Sequence, residues 1–352
     1  MTHEEASSMK AVVVDVCGDI EYKEVPTNPL KSNEVKLLIK AAGICSTDID
    51  RVYGGKAYYY PIILGHEMAG EVIELGSDVK KVKIGDRCTV VPLIPCFKCE
   101  WCKNGQYSLC DDYDYFGSRT SGGFAQFLNV PERNLLILPS NVDFESGAIV
   151  EPIAVSIHSL LSVDFNSINS VMVAGAGPLG LLIAQIARIM GAKNIIISDL
   201  NLARLKIGER LGFFAIEADS SFIEKVKEIS SGRGVDLVIE AAGNSQALCN
   251  CLDAVRKNGQ ILCLGLYSKN VMIAQELGNK IVREELSIIG SWNSYSAPFP
   301  GIEWDLAIKY LARRLIKVKK IITHRFKLGE AKEAFSRLYS GEYDIVKAMF
   351  VN

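Results

Sequence analysis

The chain has 352 residues, 49% of them hydrophobic and 23% charged, with a formal net charge of -2. That length suits about two domains of an ordinary globular protein, and the near-balanced charge gives no electrostatic reason to expect nucleic acid or an anionic membrane as a partner. The most apolar helical stretch, Leu179 to Met190, is short for a bilayer span and is interrupted by Gln185 and Arg188.

Met1 to Ser8 carry His3, Glu4 and Glu5 and no apolar core, so they do not read as a secretory signal, and order is expected from Met9. Ten cysteines without such a signal point to metal ligation or free thiols in a reducing compartment, with the cytoplasm as the expected location.

Residues 10–16 and 34–42 are β-rich runs that lead into Gly43-Ile44-Cys45-Ser46-Thr47-Asp48. Cys45 alone reads either as a small buried hydrophobe or as a zinc thiolate, with Thr47 offering a hydroxyl to a bound alcohol. The stretch Ile63 to Gly76 sets His66 and Glu67 side by side between glycines at the head of an apolar, β-rich run. An imidazole on rigid backbone suits zinc, and the adjacent carboxylate can exchange onto the metal or orient its water. Taken by itself, a histidine at a strand edge is more often structural.

A further strand at 86–91 leads to Cys96, Cys99, Cys102 and Cys110, a C-x2-C-x2-C-x7-C pattern. Four thiolates in one short loop close a tetrahedral zinc site with no open position, which makes it structural rather than catalytic. An iron–sulfur cluster is the alternative, although its usual cysteine spacings differ. Cys17, Cys88, Cys249, Cys251 and Cys263 read as core or incidental. The β-rich half continues through 122–138, and Phe144 to Leu161 then takes helical spacing, with Glu151-Pro152 opening its apolar part. Glu151 is either a first-turn carboxylate favoured by the helix dipole or a third zinc ligand. His158 reads as core, or as a neighbour of the ligands without a direct role.

At Ser170 the composition changes. A short buried strand, Val171 to Ala174, runs into Gly175-Ala176-Gly177-Pro178-Leu179-Gly180, then a helix to Met190, a second strand at 194–198, and Asp199. This is the dinucleotide fingerprint in its required context. The first two glycines allow the turn and the approach of a pyrophosphate, Gly180 allows helix–strand packing, and Asp199 can hold a ribose 2′-hydroxyl. Asp199 would repel a 2′-phosphate, which favours NAD over NADP, while Arg204 nearby would suit one. Strands at 235–240, 260–264 and 286–289 alternate with helices near 245–257 and 275–283, as in a doubly wound parallel sheet. Helices are expected in the tail at 303–314 and 330–339.

Together, Gly43-Ile44-Cys45, Gly65-His66-Glu67 with Gly70 and Gly76, the four-cysteine lobe, Glu151-Pro152 and the 175–180 turn resemble the zinc-dependent medium-chain alcohol and polyol dehydrogenases, over essentially the whole chain from Met9. The stretches 59–62, 92–97, 116–119 and 290–296 are similar to the galactitol-1-phosphate 5-dehydrogenases within that family. The resemblance implies an α/β architecture: a GroES-like β-rich catalytic domain at 9–157 and 293–352, and a doubly wound Rossmann coenzyme domain at 158–292. It implies two Zn2+ per chain. The catalytic one would be held by Cys45, His66 and Glu151, with Glu67 able to exchange with water, and the structural one by the four-cysteine lobe. It implies NAD contacts from Leu179, Asp199, Arg204, the Leu264-Gly265-Leu266 turn and Trp292-Asn293-Ser294, and a homodimer or homotetramer.

The expected reaction is zinc-dependent oxidation of a secondary alcohol of a sugar-alcohol phosphate, galactitol 1-phosphate to tagatose 6-phosphate, with hydride transfer to NAD. An unphosphorylated polyol (sorbitol, xylitol or idonate) or threonine are the alternative substrates. Two positions depart from the family pattern. The relay histidine of many alcohol dehydrogenases is replaced by Asp50, and the tyrosine of the sorbitol dehydrogenases by Arg51. Arg51, with Arg119 as a second, suits a phosphate through charged bidentate hydrogen bonds, or equally is a surface arginine in a salt bridge. The intact Cys45, His66 and Glu151 argue against a binding protein without turnover. Asp111, Asp112 and Asp114 argue against a zinc-ribbon nucleic-acid module.

Overall fold

The computed structural model describes residues 8–352; the expected tail, apart from Ser8, lies outside the described residues. The chain divides into two compact units. The first comprises the chain through Glu151 together with Tyr295–Arg313 and Ile322–Asn352, and the second Pro152–Ser294 with Arg314–Ile321. No helix among the described residues is long and apolar enough to cross a membrane.

The first unit begins with β1 (Ser8–Val16), which pairs antiparallel with β2 (Asp19–Pro26). Its central strand is β3 (Glu34–Gly43), whose side chains are buried or nearly so on both faces. Helix α1 (Ser46–Tyr53) follows, then β4 (Ile62–Ile63), β5 (Glu67–Leu75), β6 (Arg87–Val90) and β7 (Leu93–Ile94). The lobe with the short helix α2 (Glu100–Lys103) comes next, then β8 (Asp114–Tyr115), β9 (Phe127–Pro131) and β10 (Leu135–Ile137). The helix expected over 144–161 is two helices, α3 (Phe144–Ala148) and α4 (Val150–Leu161), with Ile149 leaving helical geometry between them. Strand β2 escaped the sequence reading because its face is exposed and charged (Asp19, Glu21, Lys23, Glu24), without the apolar run that marks a buried strand.

The second unit is a six-stranded parallel sheet. Its elements are β11 (Ser170–Ala174), α5 (Pro178–Ile189), β12 (Asn194–Asp199), α6 (Leu202–Arg210), β13 (Phe214–Glu217), α7 (Phe222–Ile229), β14 (Val235–Glu240), α8 (Ser245–Ala254), β15 (Val255–Cys263), α9 (Gln275–Arg283) and β16 (Ser287–Gly290). The order β13-β12-β11-β14-β15-β16 reverses direction between β11 and β14. Ligands of such sheets bind outside the carboxyl ends of the strands at that switch point. Strands β11 and β14 are buried along their whole lengths, as a sheet covered on both faces requires. The expected strand at 260–264 starts earlier, at Val255, and carries a register shift where Asn258 takes a positive φ of 53°.

The chain end returns to the first unit through α10 (Ile302–Ala312), β17 (Ile322–Phe326), α11 (Ala331–Tyr339) and β18 (Lys347–Val351). Strand β18 inserts between β17 and β3, so the last residues complete the sheet β10-β6-β5-β3-β18-β17. The Phe124 ring packs edge-on to Phe350 at 4.9 Å. Gly65, at φ 95°, passes so near Phe124 that a Cβ there would lie 2.5 Å from the ring. Only glycine fits, and that packing places His66, the next residue.

Candidate functional site

Three ligand-type side chains meet in the first unit. Cys45 caps the start of α1, His66 immediately precedes β5, and Glu67 opens it, opposite Gly43 on β3. One ligand atom each from Cys45, His66 and Glu67 lie within 4.8 Å of one another. A Cβ on Gly43 would sit 2.3 Å from Glu67 Oε2, so glycine is required for that approach. Asp48, fully buried on α1, accepts the Cys45 backbone amide at 3.0 Å and lies 3.3 Å from His66 Nδ1. With Nδ1 turned to Asp48, Nε2 is the nitrogen left for a metal. Burial opposes charge on His66, but Asp48 outweighs it and holds the imidazole well above its ordinary pKa. A bound metal would replace that proton.

Glu67 is held from β18. The Lys347 ammonium, itself buried, donates to Glu67 Oε1 at 2.6 Å, lies 2.5 Å from Oε2 and donates to the Ile44 carbonyl at 2.9 Å. Glu151 stands beside the Cys45–His66–Glu67 group rather than within it. Its Oε1 accepts from the Tyr115 hydroxyl at 3.2 Å, and that hydroxyl accepts from Tyr295 at 3.1 Å. Burial pushes the Glu151 carboxyl up to about 7; His66 opposes that rise and Glu67 adds to it. A thiol, an imidazole and two carboxylates crowded away from water form a donor set suited to zinc, whose charge would offset theirs.

Other polar side chains of the first unit that the sequence singled out differ in their partners. Thr47 Oγ1 accepts from Arg51 Nη1 at 3.0 Å, and the same guanidinium lies 3.4 Å from Asp48. The Arg51 charge is thus already set against a buried carboxylate. Asp50 is exposed and pairs with Lys56 at 2.7 Å. Arg119 lies over the Tyr58 and Tyr113 rings at 4.2 and 4.3 Å, with no carboxylate within ion-pair distance among the described residues. Its Nε is buried without a hydrogen-bond partner.

The four lobe cysteines form a second group, their sulfurs within 4.8 Å of one another. Cys96 and Cys102, and Cys99 and Cys110, are 3.9 Å apart at sulfur. A tetrahedral site with Zn–S bonds of about 2.3 Å has sulfur–sulfur edges of about 3.8 Å. The Lys98 and Cys99 backbone amides pull the Cys96 thiol down to about 6. The residues present fit a structural zinc.

In the second unit, Gly175 adopts φ 111°, and a Cβ on Gly180 would fall 1.9 Å from the Gly175 carbonyl oxygen, so neither position tolerates another residue easily. A Cβ on Gly177 would meet nothing within 4 Å, which leaves the backbone there open to a ligand. Pro178 starts α5, and Leu179 follows half-buried. Asp199, ending β12, accepts the Ala176 amide at 2.8 Å, and Arg204 Nη1 stands 3.6 Å away. The Leu264-Gly265-Leu266 turn follows β15, and Trp292, Asn293 and Ser294 follow β16, so all these positions share the carboxyl-end edge of the sheet. An open glycine turn at the end of β11 fits a dinucleotide.

Sequence reading missed several supports. Asp48 could have been suspected as an acid three residues beyond a helix cap, and Lys347 as one cation in an apolar run. Glu240 braces the turn after β14 by accepting from the Ala242 and Gly243 amides and the Tyr267 hydroxyl, and Tyr115 and Tyr295 reach Glu151. Nothing local marks these three, since their partners are remote or backbone.

Residues 31–140 match the alcohol dehydrogenase GroES-like domain and residues 178–309 the zinc-binding dehydrogenase model. The chain is 34% identical over 322 residues to galactitol 1-phosphate 5-dehydrogenase of Escherichia coli K12, covering 90% of this chain and 92% of that protein. It is 31% identical over 358 residues to sorbitol dehydrogenase of Bacillus subtilis, covering 99% of each. The crystal structure of galactitol-1-phosphate dehydrogenase from Escherichia coli superimposes with a TM-score of 0.91 at 32% identity, over 98% of this chain and 100% of that one. The donor sets, the dinucleotide turn and these likenesses agree, and the chain belongs to the zinc-dependent medium-chain alcohol and polyol dehydrogenases.

Proposed function

We propose that the protein oxidises a secondary alcohol of a sugar-alcohol phosphate, galactitol 1-phosphate foremost, with NAD as the hydride acceptor. Arg119 carries the phosphate part of this reading: a guanidinium lying over two tyrosine rings, without a carboxylate partner among the described residues and with an unused buried N–H. Such a group suits an anionic substrate end. Arg51, whose charge already faces Asp48, would support Thr47 and reach the phosphate only secondarily.

Cys45, His66 and Glu151 would hold the catalytic zinc, with Glu67 exchanging, and Cys96, Cys99, Cys102 and Cys110 the structural one. When bound, the catalytic metal supplies the Lewis acidity that acidifies the substrate hydroxyl, and NAD takes the hydride. The chain's own residues do the rest. Asp48 fixes the His66 ring, and Lys347 restrains Glu67. Thr47, accepting from Arg51 through one lone pair, keeps the other for the substrate hydroxyl and hands the proton on towards solvent. The Gly175, Gly177 and Gly180 turn receives the pyrophosphate. Asp199 and Arg204 flank the adenosine ribose, with Asp199 favouring NAD, and Leu179, Leu264 to Leu266 and Trp292 to Ser294 complete the coenzyme site.

The working domains in this reading are 9–157 with 293–352 for catalysis and 158–292 for the coenzyme, in a cytoplasmic homodimer or homotetramer. The test is NADH production by the purified zinc-loaded enzyme on galactitol 1-phosphate, beside galactitol, sorbitol and threonine. Turnover with the phosphate alone is the expected result. Turnover with a free polyol and not the phosphate would discard the anionic end and keep the polyol chemistry.

A further inference from the structure

The Tyr115 hydroxyl sits in a short buried chain: Tyr295 donates to it at 3.1 Å, and it donates to Glu151 Oε1 at 3.2 Å. The directions follow from the inventory of protons. A glutamate that holds a metal is ionised and only accepts, so the single Tyr115 proton goes to Glu151, and Tyr295 must supply the bond that Tyr115 receives. Tyr295 is itself fixed. It is 1% exposed, its ring stacks on Trp304 at 5.8 Å, and its backbone amide donates to Ser108 Oγ at 3.0 Å. Ser108 lies two residues before Cys110, so the chain is rooted in the four-cysteine lobe and ends on a carboxylate beside Cys45, His66 and Glu67.

We propose that Tyr115 is a positioning residue that locks the rotamer of Glu151 by occupying Oε1, leaving Oε2 to turn to the catalytic metal, and that Tyr295 braces it. This rests on the reading of Glu151 as a ligand. A glutamate has three side-chain torsions, and holding one oxygen removes most of the freedom that metal binding would otherwise have to freeze. Groups that orient a metal ligand in this way typically contribute 10- to 100-fold in metal affinity.

The test reads metal rather than turnover. Zinc-loaded full-length protein is titrated with a chromogenic zinc chelator, and the two metals of each chain are resolved as two phases. The phase weakened in Glu151→Gln is the catalytic one. In Tyr115→Phe, which keeps the ring, that phase should weaken roughly 10- to 100-fold while the lobe phase stays as in wild type. Tyr295→Phe should weaken the same phase less, and should add nothing in the Tyr115→Phe background, as expected when one residue acts through the other. A catalytic phase in Tyr115→Phe within twofold of wild type would overturn the proposal. So would loss of both metals together, or a Tyr295→Phe effect undiminished in the double variant. Wild-type zinc affinity in Glu151→Gln would overturn the ligand assignment and this inference with it, whereas failure of every phosphorylated substrate would leave the inference standing.

Discussion

Two arginines of the first unit have the same charge and different surroundings, and those surroundings point to different tasks in the proposed reaction. Arg51 is committed to Thr47 and the buried Asp48, whereas Arg119 lies over Tyr58 and Tyr113 and offers an unused N–H. A hydrogen bond to a charged group contributes about 1.5–3 kcal/mol. Arg119→Ala is therefore expected to raise KM for galactitol 1-phosphate roughly 10- to 100-fold and to leave a free polyol within about twofold. Equal effects on both substrates would remove Arg119 from the substrate site. Arg51→Ala should instead lower kcat on both substrates, because it acts through Thr47 and Asp48. At Cys45 the expected outcome is sharper: Cys45→Ser loses the thiolate and with it kcat by orders of magnitude, while NADH titration by fluorescence remains near wild type. Cys45, His66, Glu67 and Glu151 could be singled out as candidate ligands in the sequence because ligand chemistry restricts the residue types, and the first three do converge. Their supports were not, because Asp48, Lys347 and Tyr115 act through distances that only the fold sets.

The glycine turn after β11 separates two kinds of requirement within one motif. Gly180 has no room for a methyl group, since the Gly175 carbonyl is in the way, but Gly177 faces open space. Gly180→Ala should lower the melting temperature by several degrees, while Gly177→Ala should melt as wild type and bind NADH more weakly, because its methyl occupies the ligand's side. Identical melting of both variants would show that the Gly180 packing relaxes. At the opposite ends of the strands, Asp236 ties three elements together. It accepts from Asn169, Ser170 and Arg256, and although burial would raise its pKa, the Arg256 and Ser170 bonds bring it down to about 2. A carboxylate whose pKa is lowered on folding stabilises the fold above its unfolded pKa, and that contribution is lost as the pH falls through the folded one. Measured as urea midpoints, the gap between wild type and Asp236→Asn should hold steady above about pH 4 and close towards pH 2 by an amount on the order of 2 kcal/mol. A gap that is flat over that range would mean that Asp236 is not held as a carboxylate.

Over the whole chain, periodicity and glycine placement made five of the six parallel strands readable, because β11, β12 and β14 are apolar runs and the turns need particular residues, whereas β13, four residues long and little buried, escaped the sequence reading. The resemblance returns 293–352 to the first domain, but the closing of its sheet by the last five-residue strand was not readable, since β18 pairs with β3 from more than 300 residues away, and no local pattern reports such a partner. The edges of the sheets raise a related question for the assembly. Among the described residues strand β16 has a partner on one side only, and Ile288 on it is 46% exposed. The adjoining helix α9 buries none of its residues, and Val282 there is 79% exposed. A sheet edge flanked by bare apolar side chains is a liability that proteins usually cover. In the proposed homo-oligomer a second copy would do so, with β16 meeting its own symmetry mate antiparallel and continuing the sheet across a two-fold axis. Light scattering on the eluting wild type should then give two or four times the 38.6 kDa chain mass. Val282→Glu combined with Ile288→Glu places like charges where apolar contact is needed, and should bring the mass down to one chain while NADH still binds. A wild type that already elutes as one chain would rule the oligomer out, and an oligomer untouched by the double substitution would move the interface away from β16.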